Sequence, residues 1–202
     1  MQQRILVWDL PVRIGHWLMA SSFLVAWLTA ESEDWHTLHL AAGGTLLGVV
    51  IFRILWGLIG TRYARFAEFI RRPREIGQYL RALLRLDPPT FIGHNPAGGV
   101  AILVMLGLGA LTALLGWGAE LEWGGDWLKD VHEFAASLML AVVCVHIGGV
   151  VLDSVLHRFN LARAMVDGRK QGAVTAGIAS AKALGLIPLF ACIGVVLWYL
   201  LR

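Results

Sequence analysis

The segment VHEFAASLMLAVVCVHIGG, residues 131–149, places His132 and His146 in a stretch that is otherwise almost entirely apolar. A buried histidine needs a partner for each ring nitrogen, because an unsatisfied polar atom away from water costs stability. Either the rest of the chain or a bound group must therefore supply partners for these two imidazoles.

The composition is that of an integral membrane protein. Of the 202 residues, 57% are hydrophobic and only 15% are charged, whereas a soluble domain carries about 25% charged residues. Nine tryptophans and 23 glycines agree with this, since membrane proteins favour tryptophan at the interfaces and glycine within helices. Five apolar stretches are long enough to cross a bilayer as helices: 14–30, 38–60, 97–118, 131–155 and 182–201.

Two features have a second interpretation. The first stretch follows a basic region, as in a signal peptide, but it contains two tryptophans and its nearest cleavage site, LTAESED, is weak. Cys144 and Cys192 are isolated in apolar stretches, with no C-x-x-C-H motif and no disulfide pattern. We expect an uncleaved first helix and cysteines that act as small core residues.

The charges of the connecting segments predict the orientation. Residues 61–96 and 156–182 carry most of the arginines and lysines, whereas residues 31–34 and 120–130 are acidic. By the positive-inside rule, the N-terminus is cytoplasmic and a fifth span leaves the C-terminus in the periplasm. The basic charge thus reflects topology and needs no nucleic-acid partner. The stretch RRPREIGQYLRALLRL, residues 71–86, is expected to be an amphipathic helix on the anionic lipid surface.

The predicted topology sets the depth of four histidines. His16 begins the first span at the cytoplasmic side, whereas His39 and His132 begin the second and fourth spans at the outer side. At 1.5 Å per residue, His146 lies about 21 Å deeper than His132, and steps of about 100° keep both on one helix face. The histidines thus form two facing pairs, His39 with His132 outside and His16 with His146 inside.

Two imidazoles on opposite sides of a flat slot suit a haem iron with bis-histidine ligation, in which the metal satisfies one nitrogen of each ring. Zinc instead needs four converging protein ligands, or three and an open position. Carboxylates are scarce at these depths, and Glu133 is rotated about 100° from His132 on its helix. The pattern therefore predicts two haem sites stacked about 20 Å apart.

Small residues near these histidines would let a large planar ring approach the backbone, although such residues also permit tight helix packing. The residues predicted to line the slots are Gly15, Gly43, Gly44, Gly48, Ala135, Ala136, Gly148 and Gly149. Arg53 lies fourteen residues after His39 on nearly the same face. There it either pairs with a propionate of the inner haem or reaches the cytoplasmic interface.

The other three histidines have different expected roles. His36 lies three residues before His39 and is the alternative candidate for the outer ligand. We expect instead that His36 is exposed or contacts a haem propionate. His94, in GHNPAGG, is expected in a turn that leads into a helix, and a quinone or propionate contact is the alternative. His157 lies among basic residues and is expected to be solvated, while Asp153 receives no role.

Four motifs in order, VWDLPVRIGHW, GHNPAGG, VHEFAASLMLAVVCVHIGG and NLARAMVDGRK, resemble the bacterial cytochrome b561 family, which is related to the b-type cytochrome subunits of nickel–iron hydrogenases. The resemblance covers about residues 7–170 and implies a four-helix bundle that holds two b haems. By position, the implied ligands are His16, His39, His132 and His146, with Gly43 and Arg53 in the same ordered set. We expect this all-α membrane bundle to occupy residues 1–178, followed by an additional transmembrane helix within 179–202.

The resemblance implies electron transfer in a bacterial inner membrane. Six-coordinate iron has no open position for a substrate, so it passes single electrons. The expected route joins membrane quinone to a periplasmic partner, a cytochrome c or another redox protein, as in a respiratory chain. As an enzyme, the protein would be a quinone-linked oxidoreductase.

Three alternatives accompany this expectation. A cytochrome b subunit of a hydrogenase would use the same chemistry with a dedicated partner. A superoxide:quinone oxidoreductase would need cationic guidance at its outer face, against which the acidic outer loops weigh. A metal or proton transporter with a histidine relay would be colourless.

Overall fold

The computed structural model describes residues 3–202, and most of them are helical. In chain order, the helices are α1 Leu10–Thr29, α2 His36–Ile59, α3 Phe66–Phe69, α4 Pro73–Leu84, α5 Pro96–Glu120, α6 Trp127–Leu156, α7 Leu161–Asp167 and α8 Leu186–Leu200. Two short strands, β1 Gln3–Leu6 and β2 Arg169–Gly172, pair in an antiparallel manner. The helix expected within 71–86 is present as α4.

Four helical segments in residues 3–202 are long and apolar enough to cross a membrane, namely Glu33–Ile59, Pro96–Glu120, Trp127–Leu156 and Ala183–Leu200. They match four of the five predicted spans. The remaining predicted span, 14–30, is the first in the chain and coincides with the 20-residue helix α1. This helix is less apolar than the other four because it contains Arg13, His16 and two serines. A mostly helical, multi-pass membrane protein is therefore confirmed, whereas five transmembrane helices stay a prediction.

The chain divides into two compact units. The first contains the residues up to Arg13 together with Leu55–Val104 and Val142–Ala183, and the second contains Ile14–Ile54, Met105–Ala141 and Leu184–Arg202. Helices α1, α2, α5 and α6 each contribute residues to both units. The predicted boundary between a bundle at 1–178 and a separate helix at 179–202 stays a prediction.

In the second unit, α8 packs closely against α2 through two glycines. A Cβ atom on Gly48 would lie only 2.6 Å from the Cα of Ile193, and one on Gly44 would lie 3.0 Å from Leu197 Cδ2. The absence of side chains at both positions lets the helices approach each other. The interpretation of Gly44 and Gly48 as slot residues is therefore wrong, because the space beside them is filled by α8.

In the first unit, the two strands join the N-terminal segment to the segment that follows α7. Gln3 pairs with Gly172 and Leu6 with Arg169, and the N–H groups of Val7 and Trp8 donate to the carbonyl oxygen of Gly168. This small sheet was absent from the all-α prediction. Its strands have only four residues each, which is too short for a period of two to stand out in the sequence.

A buried carboxylate holds the start of α1. Asp9 is fully buried, and its Oδ1 accepts a hydrogen bond from the N–H of Val12 at 2.8 Å, as an N-cap residue does. Its Oδ2 accepts from Trp56 Nε1 at 3.0 Å and from the Thr61 hydroxyl at 2.6 Å. Asp9 thus joins the start of α1 to the end of α2 and the turn after it.

Candidate functional site

Two of the predicted ligands face each other in the second unit. The ring centroids of His39 on α2 and His132 on α6 are 6.1 Å apart, with the ring planes at 76°. Two imidazoles that bind one metal from opposite sides through bonds of about 2 Å have ring centroids on the order of 6 Å apart. The separation of this pair therefore fits one metal between two axial ligands.

Backbone carbonyls of two further helices orient these imidazoles. The Nδ1 atom of His39 lies 2.9 Å from the carbonyl oxygen of Ala26 on α1, and that of His132 lies 2.8 Å from the carbonyl oxygen of Thr112 on α5. Because a carbonyl oxygen only accepts, Nδ1 must donate in both rings, and in a neutral imidazole Nε2 then carries the lone pair. Both histidines are thus held in the tautomer that binds a metal through Nε2.

The number of protein ligands also suits a porphyrin iron. Within residues 3–202, no three His, Cys, Asp or Glu side chains come together as a metal site. The pair His39 and His132 offers two ligands, which is the number that an iron held by four porphyrin nitrogens still needs for six-coordination. The donor set therefore fits a haem.

Glycine lets the ring of His132 lie against a neighbouring backbone. A Cβ atom on Gly116 of α5 would lie 2.8 Å from His132 Cε1 and 3.0 Å from its Nδ1. Gly43 lies one helical turn after His39, and a Cβ atom on it would meet no other atom within 4 Å. A large planar group therefore has room beside Gly43. Gly43 is consistent with its predicted role, and Gly116 is a further site residue that the sequence pattern did not single out.

The rival outer ligand has a different neighbour. His36 is exposed, and its Nε2 lies 3.1 Å from Oε2 of Glu120, which is also exposed. The structure thus brings His39 to His132 and places His36 beside a carboxylate at the ends of α2 and α5. This agrees with the expected exposed position of His36.

The inner pair is divided between the two units. His16 lies in the second unit, where its ring meets that of Trp17 edge-on at a centroid separation of 5.1 Å. His146 lies half-buried on α6 in the first unit. The pairing of His16 with His146 about an inner haem therefore stays a prediction.

Arg53 is enclosed by protein, with only 7% of its surface exposed. A guanidinium that reaches the membrane interface keeps its charged head in water, whereas one that pairs with an internal anion is buried. The burial of Arg53 therefore disfavours the interfacial position, and the propionate contact stays a prediction.

His94 occupies an aromatic cluster in the first unit. Its ring centroid lies 4.5 Å from that of Trp8 and 4.7 Å from that of Phe69. The expected turn follows it, since the side chain of Asn95 accepts from the N–H of Gly98 at 2.6 Å in the first turn of α5. This predicted entry into α5 is confirmed.

The sequence comparisons decide the family, because residues 7–168 match the family model of prokaryotic cytochrome b561. The chain belongs to this family. It is 24% identical to a probable Ni/Fe-hydrogenase B-type cytochrome subunit of Bradyrhizobium diazoefficiens, with 83% of this chain and 86% of the relative covered. Relatives of the same description from Rhizobium leguminosarum and Azotobacter vinelandii are also 24% identical, over 90% and 88% of their lengths. No solved structure matches.

Membership of the cytochrome b561 family implies a haem b cofactor, electron transport and transmembrane helices. The predicted family is thereby confirmed. Within this b-type cytochrome, the residues whose geometry fits a haem are His39 and His132, with Gly43 and Gly116 beside them. The number of haems and the full ligand set belong to the proposal below.

One expectation about this cytochrome is wrong. His157 is not a solvated side chain, because its Nε2 lies 3.1 Å from the carbonyl oxygen of Pro88 and its Nδ1 lies 3.1 Å from Oδ1 of Asp153. The loop before α5 folds over the end of α6 and covers most of the ring, which keeps 18% exposure. Only this tertiary contact distinguishes His157 from an exposed histidine in a basic segment.

Proposed function

We propose that this chain is the b-type cytochrome subunit of a hydrogenase and passes electrons through two haems. The observation that carries the haem assignment is the opposed pair His39 and His132, with both Nδ1 atoms held by backbone carbonyls. The partner follows from the relatives, which are described as hydrogenase cytochrome subunits and are covered over 86% to 90% of their lengths in the three comparisons above.

The proposed electron path passes through two haems. His39 and His132 hold the outer haem, and His16 and His146 hold the inner one, about 21 Å further along α6 from His132 to His146. A haem held by each histidine pair would supply one-electron redox chemistry, and two histidine ligands on its iron would leave no position for a substrate. The protein's part is to orient the imidazoles, exclude water and set the distance between the irons.

The ends of this path follow from the charge pattern. The hydrogenase is proposed to dock at the periplasmic side, where Glu33, Asp34 and Glu120 are exposed, and charges of this kind mainly steer encounter. Membrane quinone is the proposed acceptor at the opposite side.

The topology with a cytoplasmic N-terminus in the inner membrane belongs to the same proposal, as do the predicted roles of Arg53 and Gly43 beside the haems. A hydrogenase here takes the place of the soluble periplasmic cytochrome expected from the sequence.

The haem assignment is tested by a reduced-minus-oxidised optical spectrum of the purified chain together with a haem count. We expect two low-spin b haems per chain, and His132→Ala should lose one of them. His36→Ala is the matched control, because it removes an outer histidine that bonds to Glu120, and it should keep both haems. Full haem occupancy in His132→Ala would contradict the ligand assignment, and a colourless native chain would favour the transporter.

The partner assignment needs a separate measurement. Membranes that contain this cytochrome with its hydrogenase should show haem reduction under hydrogen gas, whereas membranes that lack the hydrogenase should not. If an active hydrogenase is present, reduction of the haem by dithionite only and not by hydrogen would contradict the hydrogenase partner. That result would favour a soluble periplasmic donor.

A further inference from the structure

A cluster of titratable side chains lies in the first unit, apart from the proposed haem ligands. The hydroxyl of Tyr79 on α4 donates to Oδ1 of Asp153 on α6 at 3.2 Å, and Nδ1 of His157 lies 3.1 Å from the same oxygen. Lys170 of β2 is a further member, since its charge interacts with that of Asp153. We call Tyr79, Asp153, His157 and Lys170 the Asp153 cluster. Its members come from separate elements, so only the tertiary fold assembles it.

Both ring nitrogens of His157 face oxygen atoms. Its Nε2 faces the carbonyl oxygen of Pro88, and its Nδ1 faces both the carbonyl oxygen and the carboxylate of Asp153. All these neighbours are acceptors, so in a neutral ring the nitrogen that carries no proton faces an oxygen, and one further proton on the ring would satisfy both nitrogens. Asp153 accepts from the phenol of Tyr79, which also has the neutral side chain of Asn95 as a hydrogen-bond neighbour, and its carboxylate faces Nδ1 of His157.

Burial changes the acidity of the other two members. Burial raises the pKa of Tyr79, and the negative charge of Asp153 raises it further, so this residue stays a neutral donor. Burial lowers the pKa of Lys170 to about 8, although Asp153 acts in the opposite direction. The Nζ group of Lys170 donates to the carbonyl oxygens of Phe91 and Gly93 at 2.8 and 3.3 Å.

The cluster lies at the end of α6 that follows His146. Asp153 comes seven residues after His146, which is about 10 Å along the helix axis and within about 20° of the same face. The side chains of Asp153 and His157 keep 15% and 18% exposure, so protons can reach them from water. A change of charge on an iron at His146 would act on this cluster through a largely apolar interior, where screening is weak.

We propose that the Asp153 cluster binds one proton when the inner haem gains one electron and releases it when that electron leaves. The proposal rests on the proposed function, because it requires a haem iron at His146. The electron would come from the hydrogenase and lower the charge of an iron held at His146 by one, while the proton would come from water and be held by the second ring nitrogen of His157 or by the neutral amine of Lys170. No bond to the haem is made or broken, and the added proton offsets the added electron.

The test is a potentiometric titration of the purified, haem-loaded chain between about pH 6 and about pH 9. The midpoint potential of one haem should fall by about 59 mV per pH unit, the value for one proton per electron. The other haem should keep a constant potential and so acts as an internal control. Asp153→Asn should abolish most of the slope, while Asp130→Asn, an exposed carboxylate in the first turn of the same helix, should leave it unchanged.

Two further variants keep the test decisive if Asp153→Asn does not fold. Tyr79→Phe keeps the ring that packs against Phe91 and removes only the hydrogen bond to Asp153, so it should shift the pH range of the slope. His157→Gln should remove or reduce the slope. Two bound haems with flat potentials in the native chain would overturn the proposal and leave the proposed function standing, as would a slope unchanged in all folded variants. Absence of the second haem would instead be a failure of the proposed function.

Discussion

The Nδ1 nitrogen of His132 lies 2.8 Å from the carbonyl oxygen of Thr112 on the neighbouring helix α5. This contact decides which nitrogen carries the proton and therefore which one can bind iron. The same helix supplies Gly116, whose missing side chain makes room for the ring. One helix thus sets both the tautomer and the position of His132, although it carries none of the proposed ligands.

The first prediction concerns Gly116. In Gly116→Ala the new Cβ atom would lie 2.8 Å from His132 Cε1, so the ring must move away from its position opposite His39. We expect loss of most of the outer haem and retention of the inner one, as measured by a haem count and the optical spectrum. Gly107→Ala is the control on the same helix, because a Cβ atom there meets nothing within 4 Å. Equal haem content in the two variants would refute the role of Gly116.

The second prediction concerns Asp9. Asp9→Ala leaves the donors of Val12, Trp56 and Thr61 without their acceptor in a buried site and removes the N-cap of α1. The free energy of unfolding should fall by about 3 kcal/mol. A thermal unfolding curve in detergent measures this, with the exposed Asp87→Ala as the control, which should change stability little. Similar curves for both variants would show that the network adds no stability.

The third prediction concerns the contact of α8 with α2. Gly48→Ala places a Cβ atom 2.6 Å from the Cα of Ile193, a backbone atom that cannot move without the helix. Overpacking of this kind costs about 1–3 kcal/mol. We expect a lower unfolding temperature for Gly48→Ala, whereas Gly194→Ala, which adds a Cβ atom in open space on α8, should leave it nearly unchanged. A native unfolding temperature in Gly48→Ala would mean that α8 does not pack there.

The fourth prediction concerns Lys170 and pH. Burial lowers its pKa from 10.5 to about 8 in the folded chain. Between these values the unfolded chain binds more protons than the folded chain, so the Lys170 contribution to stability rises with pH across this window. The free energy of unfolding should rise by about 3 kcal/mol across this window. Below pH 8 the buried ammonium lowers the free energy of unfolding by a constant amount.

Lys170→Met should remove that rise. The comparison is the unfolding temperature of the native chain and of Lys170→Met at several pH values, and Lys182→Met serves as the control because Lys182 is exposed. A pH profile for Lys170→Met that parallels the native one would contradict the lowered pKa.

The approach of His39 to His132 was predictable from the sequence because a helix has a fixed rise and rotation per residue. The positive-inside rule placed His39 and His132 at the same depth, and the structure brings their rings together. For the same reason, the long apolar helices and the start of α5 near Pro96 were predictable. These features depend on local geometry and hydrophobicity, which short stretches of sequence carry by themselves.

Gly116, Asp9 and His157 could not be assigned in this way. Their roles depend on which element lies beside them: α6 beside Gly116, the turn at Thr61 beside Asp9, and the loop at Pro88 beside His157. Glycines were equally ambiguous, since Gly43 has open space beside it while Gly48 lies against the backbone of α8. The sequence by itself therefore determined the long apolar helices, the family and the approach of His39 to His132, because helix periodicity and apolar length are local properties. The tertiary structure alone decided the tautomer of His132, the packing of α8 and the Asp153 cluster, because each requires contacts between residues that are distant in the chain.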